Sequence, residues 1–338
     1  MNRCLKITGF SALLSAAAGL QTEATVPLND YLALDGYVAA TGAIAHESGT
    51  GRNDYGLFNS GTGVGATDAV KVGLTGKYES FSAYASVYYT PTRVTGTDAG
   101  ILDAYATWAA DFGTGGKLVI SGGKFLSNLG YESFYPINNV HVTAALAQGI
   151  PAYHTGLKAD FTTALTDTNT LTTGIAVVDS LHPGRGFWQG DGNFSDVGFE
   201  VYAKFELNNE IKLFAGVGYD TDNAVNAQFV LDLWAEYAVT KELTLAAEIT
   251  TAKDLVDLSW LVGANYAVTD NFSVAGRVSG AKFKNNNTVN GRKLYSFTLT
   301  PAYTFKTVPL TIRGEAAYVH GSGNFNGYFF GAQALFSF

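Results

Sequence analysis

The chain has 338 residues, of which 47% are hydrophobic, 13% aromatic and only 15% charged. This much apolar material excludes an intrinsically disordered chain, and this little charge indicates that a large part of the surface does not face water. The formal net charge of -8, without any cluster of lysines and arginines, excludes a nucleic-acid-binding protein.

The first residues have the order of features of a secretory signal peptide. Arg3 and Lys6 precede the apolar stretch 7–20, and small residues that suit a signal peptidase occur at 15–18 and again at 22–24. We therefore predict a signal peptide over 1–24, cleaved between 18 and 24, and a mature chain over 25–338. The alternative, a buried N-terminal helix, does not explain this order. Because Cys4 is the only cysteine, the mature chain would contain no disulfide and no cysteine-ligated metal.

After this segment the sequence alternates with a period of two. In the stretch 197–207, apolar side chains such as Val201 and Phe205 alternate with polar ones such as Glu200 and Lys204. Successive side chains of a strand point to opposite faces, so this is a strand with one apolar and one charged face. No run of 18 apolar residues follows the signal, and the same alternation recurs to the C-terminus.

The connections between these stretches predict the number of strands. Short turns are expected at 79–80, 113–116, 166–169, 208–210, 240–242, 269–271 and 306–309. Longer connections are expected near 47–67, 91–100, 126–153, 179–195, 221–225, 252–256, 284–291 and 320–325. Seven turns that alternate with eight loops join 16 strands, and an even count is typical of bacterial outer-membrane barrels. We predict an all-β, antiparallel transmembrane barrel of about 16 strands (14–18), with short periplasmic turns and longer extracellular loops.

Aromatic residues near the short turns share the parity of the apolar face. In a membrane barrel they would form an interfacial belt, whereas a soluble sandwich gives no reason for one. The alternative is that aromatic residues simply favour strands. The predicted belt consists of Tyr78, Phe81, Phe112, Phe161, Phe205, Tyr237, Tyr266, Phe272 and Phe305, with Tyr303 beside it. The C-terminal Phe338 resembles the signal that outer-membrane proteins present to the barrel insertion machinery.

One segment resembles a known family. Its motifs are Gly123-Lys124-Phe125, Gly130-Tyr131-Glu132, Asn138-Asn139 and Ile150-Pro151-Ala152-Tyr153-His154-Thr155-Gly156. These motifs are similar to those of the OmpL-like β-barrel porin family. The resemblance implies a channel for small solutes in the outer membrane of a Gram-negative-type bacterium. An arginine expected shortly after the asparagine pair is absent, and His141 lies in that region instead.

A barrel of 16 strands is too wide for its wall side chains to fill, so a water-filled lumen is expected. The longest connection, 126–153, is apolar enough to fold back into that lumen. We predict that it narrows the pore, with Lys124, Glu132 and His154 at its base or rim. The alternative is an external loop or a surface lid. The predicted lumen wall contains Lys204, Glu200, Asp232, Glu236, Glu248, Arg277, Arg313 and Glu315. Over all positions with inward parity, seven basic residues face nine acidic ones, and this near balance argues against strong ion selectivity.

The sequence thus predicts a porin that passes small hydrophilic solutes and ions by passive diffusion. It is not expected to be an enzyme, and no catalytic residue, cofactor or metal site is predicted, because the five histidines are scattered and no hydrolase motif occurs. Expected partners are outer-membrane lipid, the insertion machinery and solutes but no nucleic acid, and other 16-stranded porins suggest a homotrimer. Two alternatives stay open: a non-conducting barrel that acts as an anchor or surface-binding protein, and a barrel hydrolase.

Overall fold

The computed structural model describes residues 25–48, 63–92, 96–145, 150–181, 197–221, 229–253, 255–284 and 293–338. The predicted signal peptide, 1–24, lies outside the described residues. The strands are β1 (Thr25–Pro27), β2 (Leu32–Ser48), β3 (Gly63–Tyr78), β4 (Phe81–Thr92), β5 (Gly96–Asp111), β6 (Lys117–Leu126), β7 (Tyr153–Ala164), β8 (Thr170–Val178), β9 (Gly198–Leu207), β10 (Ile211–Asp220), β11 (Phe229–Ala238), β12 (Leu243–Ala252), β13 (Val256–Ala267), β14 (Phe272–Phe283), β15 (Lys293–Thr304), β16 (Leu310–Gly321) and β17 (Phe325–Ser337).

Strands β2 to β17 form a closed antiparallel barrel. Each of them pairs with its neighbours in the chain, and β17 pairs with β2 from Asn326 opposite Ser48 to Ser337 opposite Tyr37, which closes the sheet. The short β1 adds only to β2, where Thr25 lies opposite Asp35. The prediction of a 16-stranded barrel is therefore confirmed, with β1 as one additional strand. Among the described residues, no helix has the length and apolarity needed to cross a membrane.

The seven predicted short turns all lie at one end of the barrel. Three of them contain residues in the left-handed region: Glu79 after β3, Gly113 after β5 and the pair Asn208-Asn209 after β9. At the other end, several connections are shorter than the sequence suggested; for example, 253–255 join β12 to β13, and 322–324 join β16 to β17. The second of these is a tight turn with positive φ at Gly323 and Asn324, which lets the strands continue further than the polarity of the segment implied.

The barrel is inverted relative to a water-soluble protein. On β9, Val201 is 48% exposed on the outer face, whereas Glu200 beside it is 0% exposed on the inner face. The same contrast occurs on β12, where Ile249 is exposed and Glu248 is buried. Apolar side chains cover the outside along the other strands as well, as expected for a surface in contact with lipid.

One irregularity changes which side chain faces inwards. The pairing of β4 with β5 shifts register between Ala85 and Val87, and opposite this shift Leu102 and Asp103 are both buried, while Ile101 is exposed. Strict alternation from Ala104 and Ala106, which are exposed on the outer face, predicts Leu102 on the same face. That placement is wrong, because a bulge breaks the period of two at this point.

Candidate functional site

The connection between β6 and β7 lies against the inner face of the barrel. Within its described residues, 127–145 and 150–152, it contains one short 3-10 turn, Pro136–Asn138, and otherwise no regular structure. Its backbone polar groups therefore need partners outside the segment itself. We call residues 127–145 the inner segment.

The first part of the inner segment is held by carboxylates of three wall strands. The Ser127 hydroxyl donates to Glu200 on β9, with an O···O distance of 2.5 Å. The backbone N–H of Gly130 donates to Asp232 on β11 at 2.7 Å, and that of Tyr131 donates to Glu248 on β12 at 2.6 Å. Because a carboxylate is a strong acceptor, these bonds fix the course of the backbone across three strands.

Glu132 is bound from two directions. It forms an ion pair with Arg277 on β14, and its other oxygen accepts the backbone N–H of Ala145 at 2.6 Å. The Arg277 guanidinium also donates to Thr298 on β15. Glu132 therefore joins the two ends of the inner segment to the wall.

The middle of the inner segment packs on the opposite side of the barrel, against β2 to β5. The Tyr135 hydroxyl donates to Asp103 on β5 and accepts from Tyr153, and Asp103 also accepts from Ser86 at 2.6 Å. The Lys71 ammonium lies 4.0 Å from the centre of the Tyr135 ring. Burial and then Tyr153 and Asp103 raise the pKa of Tyr135, so its hydroxyl stays protonated and remains a donor.

The last part of the inner segment is held by β16. The Arg313 guanidinium donates to the carbonyls of Asn139 and Pro136, the latter at 3.1 Å. Glu315 accepts the backbone N–H groups of Val142 at 2.6 Å and Thr143 at 2.9 Å.

His141 lies between the contacts made by β16 and the neighbouring strand β15. Its Nδ1 atom is 2.7 Å from the Thr300 hydroxyl on β15. Burial, with the nearby guanidinium groups of Arg277 and Arg313, lowers the pKa of His141 to about 3. His141 is therefore neutral at physiological pH. Together with the contacts to β5, β9, β11, β12, β14 and β16, this places the inner segment across the interior of the barrel.

The three residues predicted at the constriction have different surroundings. Glu132 belongs to the inner segment and pairs with Arg277. His154 is fully buried at the start of β7, with Nε2 2.8 Å from Glu200 and Nδ1 2.9 Å from the Ser180 carbonyl oxygen. The Lys124 ammonium donates to the Ile101 carbonyl at 3.3 Å. The structure brings His154 next to the Ser127 end of the inner segment, whereas Glu132 has its partners on another side of the barrel.

Ser127, His154 and Glu200 do not form a hydrolytic triad. The Ser127 hydroxyl and His154 Nε2 both bond to the same carboxylate oxygen, Oε1 of Glu200. The imidazole is therefore not positioned to take a proton from the serine. Within the described ranges, no group of three or more histidine, cysteine, aspartate or glutamate side chains could hold a metal ion.

The wall residues predicted from alternation all lie on the inner face, in two groups. Glu200, Asp232, Glu248, Arg277, Arg313 and Glu315 are buried against the inner segment. Lys204 and Glu236 are partly exposed nearer to the short turns and form ion pairs with Glu206 at 2.6 Å and Lys212 at 2.8 Å. The sequence did not indicate that wall carboxylates accept backbone N–H groups of the inner segment. Alternation places Asp103 on the inner face, and Tyr135 belongs to the connection predicted to fold inwards, but the bond between them was not foreseen.

The predicted aromatic belt lies on the outer face beside the short turns. Tyr78, Phe81, Phe112, Tyr237, Tyr266, Tyr303 and Phe305 are exposed, and Phe161, Phe205 and Phe272 are partly exposed. The terminal Phe338 exchanges two backbone hydrogen bonds with Gly36 of β2, both at 2.9 Å. The membrane-belt role and the assembly role of these residues stay predictions.

The fold resembles solved porins. OprB of Pseudomonas putida superposes with a TM-score of 0.64 at 14% identity, covering 90% of this chain and 94% of that one. An E1M, A104W mutant of the Rh. blastica porin gives 0.56 at 14% identity, covering 91% and 100%. A loop L8 deletion mutant of OmpT, an outer-membrane protein of Vibrio cholerae, gives 0.56 at 13% identity, also covering 91% and 100%. At these identities the likeness concerns the fold alone.

Comparison with curated protein sequences finds no match. The family model described as "Putative beta-barrel porin-2, OmpL-like" matches residues 58–338, which is most of the chain. The match contains the barrel from β3 onwards together with the inner segment, and it agrees with the resemblance carried by the motifs at 123–125, 130–132 and 150–156. The chain is a porin-type outer-membrane barrel and belongs to the OmpL-like beta-barrel porin-2 family.

Proposed function

We propose that this protein lets small hydrophilic solutes and ions diffuse passively across the outer membrane, through a lumen that the inner segment narrows. The observation that carries the proposal is the inner segment itself, which is bound to inward-facing side chains of β5, β9, β11, β12, β14, β15 and β16. A segment held on so many sides cannot swing out with the solute, so it is suited to set a fixed size limit. Lys124, Glu132 and His154 would lie at the narrowed part of the lumen. His154 would contribute only by holding Glu200 in place.

The charges of the inner wall support weak ion selectivity. Lys204 with Glu206, Lys212 with Glu236 and Arg277 with Glu132 are matched ion pairs. A solute ion that passes these pairs meets both signs at each step, so neither cations nor anions gain a large advantage. Export would depend on a signal peptide over 1–24 and membrane insertion on recognition of Phe338; a homotrimer is the assembly we propose by analogy with other 16-stranded porins.

The proposal is tested with the chain 25–338, refolded in detergent and added to a planar lipid bilayer. Discrete conductance steps are expected, and a reversal potential close to zero under a salt gradient would reflect the balanced charges. A chain that folds as a barrel and inserts into the membrane without carrying current would contradict the proposal.

One observation favours a second candidate, a non-conducting barrel that acts as an anchor or surface-binding protein. Several inner-face side chains are fully buried, among them Tyr37, Leu102 and Glu200, so part of the interior is filled. The bilayer experiment separates the two candidates, because a filled interior predicts no conductance steps. Nothing in the arrangement of Ser127, His154 and Glu200 favours the hydrolase.

A further inference from the structure

A cavity of about 420 Å³ lies between the inner segment and the wall strands β8 to β14. Its lining includes Tyr131 of the inner segment, and Lys204, Lys212 and Glu236 near the short turns. The volume is in the range of sites for small organic ligands. The cavity is therefore large enough to hold a solute in a defined position.

One wall of this cavity is a stack of aromatic rings. Phe214 and Trp234 are cross-strand partners on β10 and β11, and their ring planes are within 5° of parallel with centroids 5.1 Å apart. Tyr202 of β9 continues the stack, 5.7 Å from Phe214, and its hydroxyl donates to Asp160. The alternation places all three rings on the polar, inner side of the strands, where apolar side chains are otherwise fewer.

Trp234 is the accessible end of this stack. Tyr202 and Phe214 are only 8% and 6% exposed, because they pack in one cluster with Leu129 of the inner segment, whereas Trp234 is partly exposed. The Tyr131 ring meets Trp234 edge to face at a centroid distance of 5.6 Å. The packed rings behind Trp234 hold it in one orientation, so it presents a fixed apolar surface to the cavity.

Ion pairs supply the charged groups of the cavity lining. Lys212 pairs with Glu236 at 2.8 Å and Arg277 pairs with Glu132, while Lys204 of the lining pairs with Glu206 just outside it at 2.6 Å. The formal charges of these three pairs sum to zero. The Lys212 and Glu236 side chains are partly exposed, and although Glu236 also accepts the Tyr131 hydroxyl at 3.0 Å, both keep further N–H or lone-pair sites for a solute.

We propose that this cavity binds a neutral polyhydroxylated solute, of the class of a monosaccharide or a short saccharide. An apolar ring face lined with C–H groups would rest on Trp234, while hydroxyl groups, which both donate and accept, would bond to Lys212 and Glu236. A charged solute would gain nothing from pairs that are already neutralised. An aromatic solute would cover Trp234 but would leave the ion pairs without replacements for their water. This inference rests on the proposed function, since it names the class of solute that the lumen favours.

Isothermal titration calorimetry of the refolded chain 25–338 with glucose, in a detergent without a sugar head group, tests the proposal. Saturable binding is expected, and Trp234→Ala should weaken it by about threefold to tenfold, the range that one aromatic contact contributes. Trp108→Ala is the matched control, because Trp108 is 38% exposed on the lipid-facing side. If Trp234→Ala fails to refold, Lys212→Met, which removes the ammonium group and its pair with Glu236 but leaves the aromatic stack intact, should show a comparable loss.

Two results would overturn the proposal. One is the absence of a saturable heat with glucose. The other is binding that Trp234→Ala and Lys212→Met leave unchanged, or that benzoate, an aromatic anion, reproduces with equal affinity. Conductance is measured separately: a chain that conducts without binding glucose overturns this inference alone, whereas a chain that binds glucose without conducting overturns the proposed function and leaves the site.

Discussion

The two sides of the barrel hold the inner segment by different chemistry. On the β2 to β5 side, the contact is made by side chains, with the Tyr135 hydroxyl bonded to Asp103 and Tyr153. On the β9 to β16 side, apart from the ion pair of Glu132 with Arg277, wall carboxylates such as Asp232 and Glu315 accept backbone N–H groups instead. We call the first the tyrosine anchor and the second the carboxylate anchors.

This difference shows which residues determine where the inner segment binds to the wall. The tyrosine anchor requires a particular residue in the inner segment, because no other side chain supplies the same ring and hydroxyl. A carboxylate anchor requires only a backbone N–H at the right place, which nearly any residue provides. The carboxylate anchors therefore depend mainly on the sequence of the wall strands. We expect substitutions in the wall to release the inner segment more readily than substitutions in the segment itself.

The largest effect is expected from Arg277→Met. This change leaves the Glu132 carboxylate partly buried without its cation, and breaking such a pair costs about 3–5 kcal/mol in the free energy of unfolding. Guanidinium titration in detergent measures the loss. Lys204→Met, which breaks the partly exposed pair with Glu206, should cost less than about 1 kcal/mol. Equal losses for the two variants would show that the Glu132 pair does not hold the segment.

A second test removes one carboxylate anchor. In Glu315→Ala, the backbone N–H groups of Val142 and Thr143 lose their acceptor, at a cost of about 1–3 kcal/mol for each buried group left unsatisfied. Hydrogen exchange followed by mass spectrometry should then show faster exchange at these two amides, with no change at Gly130, whose acceptor is Asp232. Protection that persists at 142–143 would rule out Glu315 as their anchor.

The pH dependence of stability tests the buried state of His141. Its pKa falls from 6.5 to about 3 on folding, so the folded barrel favours the neutral form. The contribution of neutral His141 to the free energy of unfolding is complete above pH 6.5 and is lost as the pH falls towards 3. Between pH 6.5 and pH 5 the free energy of unfolding decreases by about 2 kcal/mol. His141→Gln should lack this part of the decrease while keeping a partner for Thr300. A His141→Gln profile parallel to the wild type would mean that other groups cause the dependence.

The smallest effect is expected at the tyrosine anchor. Tyr135→Phe keeps the packed ring but removes the hydroxyl between Asp103 and Tyr153, for a loss of about 1 kcal/mol. Asp103 keeps its bond from Ser86, so it is not left without a donor. The same guanidinium titration applies, and a loss as large as that of Arg277→Met would reverse the ranking of the two sides.

The barrel was predictable because it depends on local alternation. Val201 and Glu200 point to opposite faces simply because they are neighbours in a strand, and turns such as Asn208-Asn209 can be recognised from their composition. Leu102 shows the limit of this reasoning. A single bulge turns its side chain from the outer to the inner face, and no feature of the sequence at this point indicates the bulge.

The contacts of the inner segment were not predictable in the same way. Gly130 and Asp232 are 102 residues apart, and the bond between them uses a backbone group that any residue carries. Apolar composition was enough to suggest that the connection folds inwards, but not which carboxylates receive it. Likewise, His154 could be singled out by its motif, yet its burial against Glu200 depends on the closure of the whole barrel.

The central claim, that the inner segment narrows a conducting lumen, is tested most directly by single-channel conductance after deletion of residues 133–145. Retained strand content by circular dichroism would show that the barrel still folds, and the Trp108→Ala chain, altered only on its lipid-facing side, serves as the control. We expect discrete steps for the unmodified chain and severalfold larger steps for the deletion. A deletion chain that folds and inserts with unchanged conductance would contradict the claim.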